Sequence, residues 1–250
     1  KGATAAEFAT QRVLNPVQTR TQVTPAGDVR ALDYPYYVVG WLIMKDQAGN
    51  YGTCTATLIG PQSVLTAAHC VYDHDTGGWM AEITFVPGLT DGENPPFGVY
   101  VPSAVDILTG YIDNYDGENY GSVMPWDLAV ITLSEPSVAD DQGNTLGWLG
   151  FGVDDASAYD ATMIGYPGDK PDGTMWESKC EIPDEFFGDL IFAHLCDMYS
   201  GNSGSSMFAV SGQDYTVRGV NVAENEELNF GVRLTDTYFQ WVLDHYVYPQ

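Results

Sequence analysis

Short apolar segments separated by turn residues fill the chain from Tyr34 onward. The segments are rich in Val, Ile, Thr and aromatic residues and are bounded by Gly, Pro, Asn and Asp, a pattern typical of β-strands and their connections. Two series of about six strands predict an all-β protein of two packed six-stranded antiparallel β-barrels. The first series is YYVVGWLIM, GTCTATLIG, SVLTAAHC, AEITFVPG, AVDILTGYI and DLAVITL, and the second is GWLGFGV, ATMIGYPG, MWESKCEI, IFAHLCDM, GSSMFAV, YTVRGVNV and NFGVRL.

One segment near the C-terminus has helical spacing instead. Within residues 236–246, Phe239, Val242, Leu243 and Tyr246 fall along one face of a helix. The pattern therefore predicts a C-terminal α-helix after the second barrel.

The same pattern divides the chain into four parts. Residues 1–33 are polar and weakly patterned, which indicates an extended arm or the remnant of a pro-segment. Residues 34–142 and 143–235 form the two predicted barrels, with a boundary near 140–146, where DDQGN interrupts the strands. The predicted helix belongs to residues 236–250.

Acidic residues far outnumber basic ones, because 34 Asp and Glu stand against 9 Lys and Arg, a formal net charge of -25. Binding to nucleic acid needs clustered cations, so we expect no nucleic-acid partner. The scattered acidic residues indicate a solvated shell. Salt tolerance and structural calcium stay open, although no segment has the ligand spacing of an EF-hand loop. The apolar runs are too short for a membrane span, and we expect a monomer without a membrane partner.

The cysteines form two neighbouring pairs with equal spacing. Cys54 and Cys70 are 16 residues apart, as are Cys180 and Cys196, and neither pair makes the CxxC of a zinc site. The spacing predicts two local disulfides, which imply an oxidising compartment. We therefore expect a secreted protein whose signal peptide has been removed, with no bound metal.

Three polar residues in distant segments suggest a catalytic function. GNSGS around Ser203 is by itself a typical turn. A serine becomes a nucleophile when a base takes its proton, a carboxylate orients the base and donors hold the oxyanion. His69 in LTAAHC, Asp127 in WDLAVITL and Ser203 follow one another in an order in which such triads occur.

These motifs carry a resemblance to the trypsin-like serine proteases. TAAHC, DLAVITL and GNSGSSMF resemble the motifs of that family, and within it of the glutamyl endopeptidase branch with the staphylococcal V8 protease. GYPGDKP, followed by TMWESK, resembles a further stretch of that branch. The resemblance covers roughly residues 13–245.

The resemblance implies a fold, a reaction and residue roles. It implies the chymotrypsin-like arrangement of two barrels and a serine endopeptidase that acts on polypeptides without a cofactor. Ser203 would attack the carbonyl, His69 would act as general base and Asp127 would orient the imidazole. The backbone N–H groups of Gly201 and Ser203 would form the oxyanion hole. A catalytically silent binding module on the same fold is the alternative.

The chain departs from the trypsin pattern before the nucleophile. Asn202 stands where ordinary relatives carry the aspartate that pairs with a new N-terminus. In the glutamyl endopeptidase branch the mature N-terminus lies near the substrate pocket instead, and Val13 after Arg12 matches such a start. Residues 1–12 are therefore either an unremoved pro-segment or a longer arm.

Some of the expected substrate-pocket residues match those of glutamate-specific relatives, and others do not. Asn221 stands where glutamate-specific relatives have a histidine, and Met198 stands where they have Thr or Ser. Ser200 matches the branch, and Glu224 is expected near the pocket mouth. These residues imply a glutamyl endopeptidase-like preference with two anion-binding groups replaced.

Asp197 supports the alternative of a basic substrate residue. It stands six residues before Ser203, the interval at which trypsins carry the aspartate that binds Lys or Arg. Both preferences remain open from the sequence.

Overall fold

The computed structural model describes residues 19–25 and 32–248. The expectations for Val13 and for residues 1–12 lie outside this part of the chain. The strands are β1 Thr21–Gln22, β2 Val39–Lys45, β3 Tyr51–Leu58, β4 Ser63–Thr66, β5 Tyr72–Asp73, β6 Gly78–Trp79, β7 Glu82–Pro87, β8 Pro102–Ile107, β9 Ala129–Leu133, β10 Gly150–Phe151, β11 Tyr159–Gly165, β12 Trp176–Ile182, β13 Ile191–His194, β14 Ser206–Ser211, β15 Asp214–Glu224 and β16 Asn229–Arg233. The helices are α1 Gly110–Asp113 and α2 Asp236–Asp244, and 3-10 turns lie at Tyr36–Val38, Ala68–Cys70, Tyr120–Ser122, Met124–Trp126 and Asp184–Phe186.

The first large sheet is antiparallel and runs in the order β7-β2-β3-β4-β9-β8. Its outer strands approach each other where Phe85 of β7 bridges to Tyr100, just before β8, through backbone hydrogen bonds of 2.8 and 2.9 Å. This bridge curls the sheet, so the six strands form the first predicted barrel.

The second large sheet has the order β12-β11-β14-β15-β16-β13. The two-residue β1 adds to β12, and the two-residue β10 pairs in parallel with β15, so eight strands contribute in the described residues. Cys180 of β12 is disulfide-bonded to Cys196, just after β13, across a Cα–Cα distance of 4.9 Å. Because β12 and β13 lie at opposite ends of the six longer strands, this disulfide closes the second barrel.

The other disulfide lies in the first barrel. Cys54 of β3 is bonded to Cys70, with 6.1 Å between the Cα atoms. Both disulfides that the spacing predicts are therefore confirmed, and so is the all-β fold with its C-terminal helix. Loops of this size give a disulfide a stabilising effect of about 3 kcal/mol in chain-entropy estimates.

The predicted domain boundary stays a prediction. Residues 140–146 lie between β9, which belongs to the first sheet, and β10, which belongs to the second. β1 lies within the predicted arm of residues 1–33 and pairs with β12. At least this part of the arm is therefore built into the second sheet.

Several predicted strands are shorter than their patterns suggest, GWLGFGV and AVDILTGYI among them. AVDILTGYI continues β8 only as far as Ile107, and the chain then turns into α1. Local hydrogen bonds from Tyr111 to Leu108 and from Ile112 to Thr109, of 2.9 and 3.0 Å, replace the ladder. The turn places the buried Tyr111 side chain in the larger apolar core. The alternation of apolar and polar residues in this segment does not predict the turn.

The C-terminal helix α2 begins at a capped residue and ends before Tyr246. The side chain of Thr235 accepts a hydrogen bond from the N–H of Tyr238, a typical N-cap contact. Tyr238 and Val242 are the buried residues of α2, whereas Phe239 is only half-buried, against Phe151. The buried face is thus rotated from the predicted one and contains Val242. No helix in the described ranges is long and apolar enough to cross a membrane.

The larger apolar core joins the two sheets. It contains fully buried side chains of the first sheet and extends to second-sheet residues such as Ile164, Val220 and Val232. A smaller core fills the second barrel around Met163 and Phe192. Because burying each large apolar side chain stabilises by about 1.5–3 kcal/mol, the shared core holds the two sheets face to face.

His194, the last residue of β13, is a buried titratable group in the second barrel. Its side chain is fully buried, and Nε2 lies 2.9 Å from Asn221 Oδ1. Burial lowers the pKa of His194 from its ordinary 6.5 to about 4, which the hydrogen bond to Asn221 only partly offsets. The imidazole is therefore neutral at neutral pH.

We expect the depressed pKa of His194 to make the fold acid-sensitive. As pH falls from about 6.5 to about 4, the unfolded chain takes up a proton that the folded protein does not, so the free energy of unfolding falls by about 3 kcal/mol from this group. Denaturant unfolding at several pH values measures it. In His194→Gln, which keeps a donor toward Asn221, this part of the pH dependence should vanish; parallel curves for both proteins would contradict the assignment.

Candidate active site

A groove of about 510 Å³ lies where the two sheets meet. His69 and Tyr120 line it from the first sheet's loops, and Ser203 and Val222 line it from the second sheet. The structure thus brings His69 and Ser203, which are far apart in sequence, to one groove.

His69 and Asp127 form a closely bonded pair. His69 lies on the 3-10 turn that follows β4, and Asp127 lies between the 3-10 turn Met124–Trp126 and β9. His69 Nδ1 is 2.6 Å from Asp127 Oδ2, and the backbone N–H of His69 donates to Asp127 Oδ1 at 2.8 Å. The Asp127 side chain is fully buried. Because each of its oxygens contacts His69, the carboxylate fixes the position of the imidazole.

The pair favours the charged form of the imidazole. Burial by itself would lower the pKa of His69, but the negative charge of Asp127 and its hydrogen bond raise the pKa above the ordinary value. The His69 side chain keeps 28% exposure on the groove side. An imidazole with a raised pKa that is held by Nδ1 can accept a proton at Nε2.

Tyr120 is a third member of this cluster that the sequence analysis missed. Its hydroxyl donates to Asp127 Oδ2, and its ring stands edge-on to His69 with centroids 6.0 Å apart. Tyr120 precedes Asp127 by seven residues and belongs to no motif. Only the path of the chain around α1 reveals the contact.

The loop of Ser203 has a backbone that requires glycine. Gly201 has φ +100°, and a Cβ there would lie 2.4 Å from the Tyr166 carbonyl oxygen. The preceding carbonyl, of Ser200, accepts a hydrogen bond from Gly168 N–H at 2.7 Å. Because a trans peptide directs its C=O and N–H oppositely, this bond turns the Gly201 N–H away from Gly168.

Thr55 of β3 holds the same loop from the first sheet. Its N–H donates to the Ser203 carbonyl at 2.8 Å, and its hydroxyl donates to the Gly201 carbonyl at 2.9 Å. The hydroxyl also accepts from Tyr166 N–H at 3.0 Å. The GYPGDKP segment, interpreted from sequence as a structural turn, therefore supplies two groups, at positions 166 and 168, that fix the loop.

Asn221 occupies a different place from the one expected. It is fully buried and does not line the groove. Its Nδ2 donates to the Asn202 carbonyl at 2.9 Å, while its backbone pairs with Ser205 and Gly204 at 2.9 and 2.8 Å. Because His194 occupies its Oδ1, the amide supports the Ser203 loop from behind instead of facing a ligand.

The other expected pocket residues divide into two groups. Met198, Ser200 and Glu224 line the groove beside Ser203. Burial raises the pKa of Glu224, with a smaller opposing effect of Arg20. Asp197 does not line the groove, because its carboxylate contacts the N-terminal residues Thr19 and Arg20.

In two clusters of the described residues, side chains of the types that bind metal ions lie close together. They are Cys54, His69 and Cys70, and Cys180, His194 and Cys196. Each contains a disulfide, so its sulfurs are not thiolates and do not fit a metal site.

Comparison with known proteins places the chain in a family. The model of the trypsin-like peptidase domain matches residues 54–217. The chain therefore belongs to the trypsin-like peptidase family. The match includes His69, Asp127 and Ser203.

Similar proteins include glutamyl endopeptidases and one protein named a metalloprotease. A glutamyl endopeptidase of Bacillus licheniformis is 32% identical over 194 residues, which cover 77% of this chain and 53% of that protein. A glutamyl endopeptidase of Staphylococcus epidermidis is 25% identical over 200 residues, 78% of this chain and 62% of that one. An extracellular metalloprotease of Bacillus subtilis is 30% identical over 212 residues, 82% and 62% of the two chains. The chain thus spans between about half and two thirds of these relatives.

Solved structures show the same fold. A Glu endopeptidase in complex with MPD superposes with a TM-score of 0.71 at 24% identity and covers 90% of this chain and 95% of its own. A scabies mite inactivated protease paralogue gives a TM-score of 0.61 at 18% identity, with 83% and 93% covered. These structures show the fold, and the sequence relatives support the glutamyl endopeptidase branch.

We expect Thr55→Val to destabilise the fold. The substitution removes the hydroxyl that bonds to Gly201 and Tyr166 and leaves two buried backbone groups unpaired, so the free energy of unfolding should fall by about 2–4 kcal/mol. Denaturant unfolding measures the change. Thr57→Val on the same strand is the matched control, because the buried Thr57 hydroxyl has no hydrogen-bond partner among the described residues. Equal effects of both substitutions would contradict the role of Thr55.

We expect Tyr120→Phe to lower kcat/KM for a peptide substrate about tenfold, because a hydrogen bond to a buried charged group contributes about 1.5–3 kcal/mol. The phenyl ring keeps the edge-on contact with His69. Tyr34→Phe is the control, since its hydroxyl donates to the Trp148 carbonyl at 3.1 Å and Tyr34 does not line the groove. Unchanged kcat/KM in Tyr120→Phe would show that Asp127 does not need this donor.

Proposed function

We propose that this protein is a serine endopeptidase with Ser203, His69 and Asp127 as its catalytic triad. The observation that carries the proposal is the groove itself. The groove contains the His69 imidazole, whose Nδ1 lies 2.6 Å from the buried Asp127 carboxylate, and it also contains Ser203. The loop of Ser203 includes Gly201 at φ +100°. The family match independently supports a peptidase.

The mechanism follows from these positions. Ser203 Oγ attacks the peptide carbonyl carbon while His69 Nε2 takes the hydroxyl proton, and Asp127 stabilises the resulting imidazolium. The imidazolium then gives its proton to the leaving amine, and the C–N bond breaks to leave an acyl-enzyme. Water, deprotonated by His69, hydrolyses the ester and restores Ser203. No step requires a cofactor.

The loop backbone supplies the oxyanion hole in this proposal. The N–H groups of Gly201 and Ser203 have no hydrogen-bond acceptor among the described residues. Gly201 N–H is turned by the Ser200–Gly168 bond, and both carbonyls of the loop are held by Thr55. Fixed donors of this kind stabilise the tetrahedral oxyanion without reorganisation.

A glutamyl preference is supported by the Bacillus licheniformis and Staphylococcus epidermidis relatives, both of which are named glutamyl endopeptidases. The basic alternative depended on Asp197, whose carboxylate contacts the chain's own N-terminal segment. Ser200 is the polar groove residue beside Ser203 that matches the branch. We therefore propose polypeptide substrates cleaved after an acidic residue.

Secretion and a monomeric state belong to the same proposal. The disulfides indicate an oxidising compartment, and one relative is named an extracellular metalloprotease. The net charge of -25 opposes association of copies and of nucleic acid.

The silent binding module remains the second candidate, because one structural neighbour is named an inactivated protease paralogue. A fold by itself does not fix activity. This chain keeps the serine, the histidine and the aspartate, together with Gly201. These residues favour the enzyme.

We expect a labelled fluorophosphonate to modify Ser203 covalently in the folded protein, because His69 raises the nucleophilicity of its hydroxyl. Mass spectrometry of the labelled peptide identifies the site, and Ser203→Ala is the control that should not react. Labelling and peptide hydrolysis should persist in EDTA, which separates this mechanism from a metalloprotease and tests the calcium requirement. A folded protein that neither reacts nor cleaves would establish the silent module.

A further inference from the structure

The Arg20 side chain lies against two loops of the second sheet, near the groove. Arg20 comes from the predicted arm, directly before β1, and its side chain is only 4% exposed. Both terminal nitrogens donate to Asp169, each at 2.7 Å. Its Nε lies 3.2 Å from Asp197 Oδ1. The guanidinium thus bridges two carboxylates that are 28 residues apart in sequence.

The arm occupies both oxygens of Asp197. Arg20 contacts Oδ1, and the backbone N–H of Thr19 donates to Oδ2 at 2.9 Å. The Asp197 side chain is 12% exposed. A carboxylate engaged at both oxygens and largely buried has little capacity left for a ligand cation.

This ion cluster adjoins the groove on the Ser203 side. Asp197 directly precedes Met198 and is followed by Ser200, both of which line the groove. Asp169 directly follows Gly168, which holds the Ser200 carbonyl. The charge of Arg20 also reaches Glu224 at the groove, where it opposes the rise of the pKa that burial causes.

We propose that Arg20 is a specificity-determining residue that excludes lysine and arginine from the position before the scissile bond. It does so by keeping Asp197 paired within the protein. The proposal rests on the proposed function and names the substrate class that the site refuses. Arg20 acts through Asp197 and does not touch the substrate.

The charges around Arg20 explain why this residue would exclude basic substrate side chains. Arg20 is shared by Asp169 and Asp197, with Glu224 close by, and Lys170 is a further cation, 3.8 Å from Asp169. Without Arg20, Asp197 keeps the hydrogen bond from the Thr19 N–H but loses its cation, and it is mostly buried beside the groove. Such a group attracts a cation strongly, because leaving it unpaired is costly. A lysine side chain of the substrate is then the available partner.

The test compares peptide anilides that differ only in Glu, Leu or Lys before the scissile bond. In Arg20→Gln we expect the kcat/KM ratio of the Lys substrate to the Glu substrate to rise at least about tenfold over the ratio of the unmodified protein. The double variant Arg20→Gln with Asp197→Asn should lose that rise. Arg218→Gln, which removes an arginine paired with Asp155, is the charge-matched control and should leave the ratio unchanged.

Asp197→Asn alone distinguishes the proposal from a trypsin-like site. If Asp197 serves Arg20 and not the substrate, its neutralisation leaves cleavage of the Lys substrate no weaker. A selective loss of Lys cleavage in this variant, or a preference of the unmodified protein for Lys, would overturn the proposal.

Labelling by the fluorophosphonate reports whether each variant has an assembled site. An unchanged ratio in an Arg20→Gln protein that labels normally overturns the inference while the peptidase assignment stands. If Arg20→Gln does not fold, Arg20→Met decides the question, because it keeps an apolar side chain of similar length but removes the cation that pairs with Asp197. A rise of the Lys to Glu ratio in that variant supports the inference, and an unchanged ratio overturns it.

Discussion

The groove depends on the contact that Thr55 makes across the two sheets. Its N–H and its hydroxyl bind the carbonyls of Ser203 and Gly201, so a single residue of the first sheet sets the backbone of a second-sheet loop. The shared apolar core brings the sheets together without direction, because burial of apolar surface is non-directional. The Thr55 bonds add the direction, and they determine where the serine stands relative to His69.

The catalytic candidates were predictable from sequence because their chemistry is carried by residue type and order. His69, Asp127 and Ser203 lie in short motifs that keep recognisable neighbours, and the strand pattern supplied the fold around them. Tyr120 and Thr55 have no such signal. Tyrosine and threonine are common, and their roles arise only when α1 and β3 bring them against Asp127 and the loop.

The pocket was harder to predict for a different physical reason. The strand pattern predicts that Asn221 lies on a strand, but it does not predict the partners of its side chain. Inside the protein the Asn221 amide is hydrogen-bonded to His194 and to the Asn202 carbonyl. Likewise, the interval between Asp197 and Ser203 matched a basic pocket, but the matching cation is an arginine 177 residues earlier in the same chain. A buried polar group must be paired, and the sequence does not say with what.

The disulfide between Cys54 and Cys70 joins the immediate neighbours of Thr55 and His69. This disulfide therefore joins β3 to the 3-10 turn after β4, and it links the segment of His69 to the segment of Thr55, which binds the Ser203 loop. The other disulfide lies in the second barrel, so apart from the polypeptide backbone itself the described part of the two barrels is joined by non-covalent contacts. Neither disulfide therefore fixes the position of Ser203 relative to His69, which depends on the non-covalent contacts between the two sheets.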